Sequence, residues 1–289
     1  MDGVFVVNKP RDITSFGVCA LIRKLTGTKR TGHTGTLDPM ATGVLVVCTG
    51  SAGRLIEYMP EKVKRYTAGI AFGYVSDTQD IWGSVEKCSS PSFDLAQLEK
   101  AMASLTGTYM QKTPAFSARK VNGRALYSYA RAGEDVPPVE KQVTVERIDI
   151  IDFTGTGAVI DVVCSRGTYI RQLISDAGEM LGCGAVMTSL VRTSTDGFDI
   201  SGAHAPQELA RAAQEGVLGE LMLPPDSLIP QIPRFDADAS GAARIANGMS
   251  LDVSGSGLPD SAVRVYSPDG FIALGEISGG LLKPRKVFK

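Results

Sequence analysis

One carboxylate, Asp38, stands in the run Gly32-His33-Thr34-Gly35-Thr36-Leu37-Asp38-Pro39-Met40-Ala41-Thr42-Gly43, and the apolar stretch Val44-Leu45-Val46-Val47-Cys48 follows at once. A carboxylate in a glycine- and threonine-rich loop can serve as nucleophile or base, because glycines let the backbone close around a ligand. The same residues have a plainer reading. Asp before Pro starts turns, and its side chain bonds its own backbone. No second acid, metal-type cluster or serine–base pair accompanies Asp38 in the sequence.

The elements that must position this loop are legible around it. Val4–Val7 reads as a strand, and Ser15 as the cap of a helix with Val18, Leu21, Ile22 and Leu25 on one face, ending at Gly27. Strands are expected at 44–48 and 66–75, the latter interrupted by Gly73. Asp94 caps a second helix bearing Leu95, Leu98, Met102 and Leu105. Residues 113–139 are polar, basic and rich in Gly and Pro, a long excursion from the core. Strands 148–153 and 159–164 precede a helix that Thr168 opens, with Ile170, Leu173, Ile174, Ala177 and Leu181 facing inward. Strands and helices alternate without βαβ spacing, so the fold class is α+β: a mixed, mainly antiparallel central sheet flanked by helices. Past Pro224-Pro225 the character changes. A linker, an Ala-rich helix near 237–247 and a hairpin turning at Ser267-Pro268-Asp269-Gly270 predict a small β-rich C-terminal module, so the domains divide as 1–229 and 230–289.

Composition narrows the function classes. The chain has 289 residues and a net charge of −1, which excludes a uniformly basic nucleic-acid binder. Its cations are nonetheless clustered: Arg23, Lys24, Lys29 and Arg30 before the Asp38 loop; Lys62, Lys64 and Arg65 before Tyr66; Arg119, Lys120, Arg124 and Arg131 within the excursion. Such clusters either hold phosphates or form a solvated face. Five widely spaced cysteines without a CxxC, and only two histidines, argue against zinc and for buried thiols in a reducing compartment. Neither a signal peptide nor a membrane-spanning run is visible, so a cytoplasmic protein is expected.

The stretch GHTGTLDPMATGVL resembles the signature loop of TruB-type pseudouridine synthases of bacterial type. Further motifs extend the likeness over nearly all of the first 200 residues: Lys64-Arg65-Tyr66 with Ser76-Asp77-Thr78-Gln79-Asp80-Ile81-Trp82-Gly83, then Cys164-Ser165-Arg166-Gly167-Thr168-Tyr169-Ile170-Arg171, then Leu190-Val191-Arg192. The resemblance implies Asp38 as nucleophile, Tyr66 against the target uracil and Arg171 paired with Asp38. It also implies that Tyr169 and Leu190 hold the nucleotide and that His33 fills the gap left by a flipped base. Residues 113–139 resemble an RNA-clamping insertion, with Arg119 and Lys120, like Lys64, on the RNA. Two positions depart from the opening motif, Asp12 where glycine is usual and Phe16 where histidine is usual. The C-terminal module resembles a PUA-type RNA-binding unit.

The expected function is isomerisation of the T-loop uridine of tRNA to pseudouridine, by a monomer with the tRNA T-stem-loop as partner and with no cofactor, metal or protein partner. Attack needs an ionised carboxylate in a water-poor pocket, which burial opposes and an arginine partner favours. Whether Asp38 adds to uracil C6 or assists loss of uracil at ribose C1′ is open at this point. Three alternatives stand beside this reading: a non-catalytic tRNA-binding or folding protein, an RNA N-glycosidase, and a guide-RNA-dependent relative.

Overall fold

Valines, leucines and cysteine follow one another without polar interruption in two early stretches, a pattern that suits strands covered on both faces. The computed structural model describes residues 1–60 and 63–288, and places both stretches at one end of a large sheet. In chain order the strands are β1 (Gly3–Lys9), β2 (Thr31–His33), β3 (Thr42–Thr49), β4 (Lys64–Phe72), β5 (Tyr74–Ser76), β6 (Val85–Lys87), β7 (Gly107–Lys112), β8 (Lys120–Val121), β9 (Arg124–Ala125), β10 (Glu140–Phe153), β11 (Gly157–Cys164), β12 (Ala185–Thr195) and β13 (Phe198–Asp199). The helices of this part are α1 (Ser15–Thr26), α2 (Leu95–Ser104), α3 (Leu126–Arg131), α4 (Ile170–Met180) and α5 (Pro206–Gln214).

The main sheet runs β1-β3-β12-β4-β11-β10-β7, with β2 on β3 and β13 on β12. Its pairings are antiparallel except β3 with β12, where Val191 meets Thr42 and Arg192 meets Gly43. The mixed, mainly antiparallel sheet is therefore the one expected. Side chains alternate across β1 and β3. Phe5, Val7, Leu45 and Val47 pack under α1 and α5, while Val4, Val6, Val44 and Val46 join Leu55, Leu228, Ile229, Leu274 and Phe288. Burying each such side chain contributes about 1.5–3 kcal/mol. Along β4, β11 and β12 one face carries Ala68, Ile70, Val162 and Met187 against Leu98, Leu173 and Ile174 of α2 and α4.

The C-terminal residues form a second sheet, from β14 (Arg234–Asp236), β15 (Leu251–Asp252), β16 (Ala262–Ser267), β17 (Gly270–Ser278) and β18 (Leu281–Val287), in the order β14-β16-β17-β18-β15, with α6 (Ala239–Ala246) packed on it. Leu274 of this sheet and Phe288, just past β18, share a core with β1 and β3.

Several elements differ from expectation. Thr14, not Ser15, caps α1 by accepting the Gly17 N–H, because the Ser15 hydroxyl is engaged with Leu37. The fourth helix begins at Ile170, with Tyr169 at its boundary, two residues after Thr168. The excursion is closed at its base by the Thr113 N–H to Val139 O bond and folds as the β8–β9 hairpin plus α3. Cys88 is exposed; the other four thiols are buried. Among the described residues no helix is long and apolar enough to cross a membrane.

Gly43 has φ +97°, and a Cβ there would run into the Arg192 backbone at the parallel β3–β12 junction. Gly43→Ala is expected to cost about 2 kcal/mol or more through strain and strand displacement. Thermal unfolding should show a clearly lower Tm, and an unchanged Tm would mean the junction tolerates a side chain.

Candidate active site

The Asp38 loop leaves β2 and returns into β3, and long side chains from elsewhere hold it at almost every residue. Lys9, wholly buried at the end of β1, donates from Nζ to Pro10 O, Ile13 O and Pro39 O at 3.0, 2.7 and 2.9 Å. Arg192, also wholly buried, donates to Val44 O (2.7 Å), Thr36 O (3.3 Å) and Gly35 O (3.0 Å). Ser15 Oγ accepts the Leu37 N–H and donates to Leu37 O. Arg166 reaches Thr34 O at 3.1 Å. The loop does contain a turn, since the Ala41 N–H bonds Asp38 O. The Asp38 carboxylate, however, points away from it.

Asp38 Oδ2 lies 3.0 Å from Nε of Arg171, in the first turn of α4. The guanidinium is 4% exposed and the carboxylate 35%, so the pair is anchored from within and open on one side. The remaining guanidinium nitrogens donate to Thr78 O and Phe116 O, both at 2.9 Å. Arg171 thus binds the Asp38 loop, the turn after β5 and the excursion with one planar group, as a lysine could not.

A second acid is present after all. Asp80 is fully buried; its Oδ1 accepts from Thr78 Oγ1 (2.6 Å) and the Trp82 N–H (3.0 Å). Among the described residues its Oδ2 has no hydrogen-bond partner, and it stands 3.9 Å from Arg171 Nε. A buried carboxylate needs a nearby cation to remain tolerable, and Arg171 supplies that charge. Sequence separation hid this neighbour, just as it hid the holding roles of Lys9 and Arg192. A usable signal existed for the latter two: each is a cation in register with inward-facing apolar residues of a strand.

Asp38 and Arg171 line two connected cavities. The inner one, about 230 Å³, is walled by Tyr66, Tyr169, Leu190 and Lys64. Gln111, 2% exposed, fixes Tyr169 by bonding both its backbone N–H and its carbonyl. Burial pushes the Tyr66 hydroxyl up to about 12, so it works as a neutral phenol. Burial, then the charge of Arg192, brings Lys64 down to about 8; among the described residues its ammonium has no hydrogen-bond or ion-pair partner. The outer groove, about 540 Å³, is bordered by His33. Burial, with Arg192 and Lys64 adding to it, holds His33 below its ordinary value, and among the described residues its buried Nδ1 has no hydrogen-bond partner. The imidazole is therefore an uncharged flat ring near neutral pH.

The structure thus gathers Asp38, Tyr66, Arg171, Tyr169, Leu190 and Lys64 on one cavity, with His33 beside it. Arg119 and Lys120 are exposed on the excursion and line neither space. Arg124 is engaged internally with Glu134 and Ser128 O, and Lys62 lies outside the described residues. No group of three or more His, Cys, Asp or Glu among the described residues could hold a metal ion.

Comparison with known proteins places the chain in a family. Residues 23–170 match the model of the TruB family pseudouridylate synthase N-terminal domain, and residues 171–229 match the tRNA pseudouridylate synthase B C-terminal domain. The chain is 38% identical to the tRNA pseudouridine synthase B of Chromobacterium violaceum, covering 98% of this chain and 94% of that one. It is 34% identical to that of Geobacillus thermodenitrificans over the whole of both. In fold it is similar to a chain in a structure of an H/ACA RNP bound to a substrate RNA containing 2′-deoxyuridine, with a TM-score of 0.71 at 23% identity, covering 99% of this chain and 85% of the other. With its Asp38 loop, its paired arginine and end-to-end likeness to these relatives, the chain belongs to the TruB family of pseudouridylate synthases.

Proposed function

We propose that the protein converts the T-loop uridine of tRNA to pseudouridine, with Asp38 as nucleophile. The observation that carries this reading is the Asp38–Arg171 pair at 3.0 Å, set at the mouth of an aromatic- and leucine-walled cavity. Residues 1–229 would form the catalytic unit and 230–289 an RNA-contacting module, acting on a cytoplasmic tRNA.

The reaction breaks the N1–C1′ bond and forms C5–C1′, while C5 loses a proton and N1 gains one, so atoms and electrons balance without an external reductant or oxidant. The uridine leaves its stack to enter the cavity, and an uncharged His33 ring suits the space it vacates. Tyr66 and Leu190 offer faces to the uracil, and Tyr66 brings a neutral hydroxyl within the same wall. Arg171 pairs with Asp38 and aims its carboxylate, whether attack falls on uracil C6 or on ribose C1′. Lys64 meets an anionic group of the substrate, the nearest in chemistry being backbone phosphate.

The rival readings fit less well. A binding protein has no use for a buried arginine aimed at a half-open carboxylate. An N-glycosidase must activate water, and Asp80 has no exposed surface with which to do so. The end-to-end match to synthases of this length favours a stand-alone enzyme over a guide-dependent one.

Wild type should form pseudouridine in an unmodified tRNA transcript at the T-loop uridine, and Asp38→Ala should bind the transcript but leave it unmodified. Binding without modification by both proteins would overturn catalysis. Arg171→Lys keeps the charge but loses the three-way geometry, so its single-turnover rate should fall about 100-fold; an unchanged rate would show that charge alone suffices. The Lys64 charge is present below pH 8 and lost as pH rises through about 8. The ratio of wild-type to Lys64→Met kcat/KM should therefore be largest at neutral pH and fall through that range, while a constant ratio would assign Lys64 to packing.

A further inference from the structure

Three large aromatic side chains that the chemistry above does not use face the outer groove: Phe16, Trp82 and Tyr127, which are 67%, 39% and 40% exposed. They come from separate elements, the first turn of α1, the turn after β5 and α3 of the excursion. Each carries a guanidinium over its ring: Arg23 over Phe16 at 5.8 Å, Arg11 over Trp82 at 5.6 Å and Arg131 over Tyr127 at 5.4 Å. The site already described fixes their places. Ser15, beside Phe16, clamps Leu37, and the Trp82 N–H is bound by Asp80. Exposed apolar groups gathered at one groove mark an interaction surface. Flat faces interleaved with cations suit unstacked bases and their phosphates.

We propose that Phe16, Trp82 and Tyr127 form a second base-binding groove, which stacks a nucleobase flanking the target uridine in the same RNA strand. The groove is continuous with the inner cavity through Asp38, Ser117 and Arg171, so a nucleotide next to the one in the cavity lies within its reach. The arginines supply the charge that the connecting phosphates require. This inference rests on RNA being the substrate. It adds a role for Phe16, at a position where the family resemblance gave a histidine, and for the chain's single tryptophan.

That tryptophan is the reporter. Titrating wild type with an unmodified tRNA transcript should quench its emission, and a transcript abasic at one of the two nucleotides flanking the target should not. Trp82→Ala and Phe16→Ala should each raise KM about tenfold with kcat within about twofold, since stacking of this kind is sequence-tolerant ground-state binding; Trp82→Phe should restore most of the loss. If the enzyme modifies the transcript yet emission is unchanged, or quenching survives both abasic substitutions, or KM is unaltered in both alanine variants, the groove does not hold a base. Quenching by a stem lacking the loop would likewise overturn it, as charge-driven contact only. Absence of pseudouridine with wild type would instead sink the underlying reading, and this one with it.

Discussion

The site depends on the burial of two cations that have no hydrogen-bonded carboxylate. Lys9 and Arg192 are fully enclosed, and among the described residues they make six hydrogen bonds to backbone carbonyls, with the Tyr66 hydroxyl also against Arg192. Taking an ammonium or guanidinium out of water costs several kcal/mol unless its donors are met. Three of the acceptors, on Gly35, Thr36 and Pro39, belong to the loop that carries Asp38. The fold therefore cannot bury its own strand ends without closing this loop in one shape. Rigidity at Asp38 follows from stability of the sheet, and the parallel β3–β12 contact is where the two requirements meet.

Arg171 extends the same logic across the molecule. Its guanidinium joins Asp38, Thr78 and Phe116, and balances Asp80 besides. Two carboxylates around one buried cation give that neighbourhood a net negative charge, which the nearby Lys64, Lys9, Arg192 and Arg166 offset. Since Phe116 belongs to the excursion, its contact ties that segment to Asp38 through a single side chain. Any displacement of the excursion by bound RNA would be felt at Asp38, because Arg171 has no slack in which to absorb it.

How much of this could be read from sequence depends on whether the signal is local. The strands through Val44 and Val4 were legible because both faces are buried, and the second helix because Asp94 and its apolar stripe agree. Thr14 and Ser15 are equally good caps, and only the distant bond to Leu37 decides between them. β7 went unread because Gly-Thr-Tyr-Met-Gln-Lys forms a polar edge strand, and β10 starts earlier than expected because Lys141, Gln142 and Glu146 dilute the alternation of Val143 and Val145. At the site, the residue types alone left Asp38 as readily a turn former as a nucleophile; the motif likeness drew attention to Arg171. Asp80 stood within a quoted motif, but its place beside Arg171 was not legible, since the two lie about ninety residues apart in the chain.

The C-terminal sheet belongs in this account as well. Its Leu274, and Phe288 just past β18, occupy the same core as Val44 and Val46, which immediately follow the Asp38 loop. One face of the loop's outgoing strand is therefore covered by α1 and α5 and the other partly by the C-terminal module. A module attached only for RNA contact would need no such shared core. The packing makes it a support for β3, so its removal would uncover apolar surface directly behind the Asp38 loop, and a truncation would disturb that loop whatever else the module does.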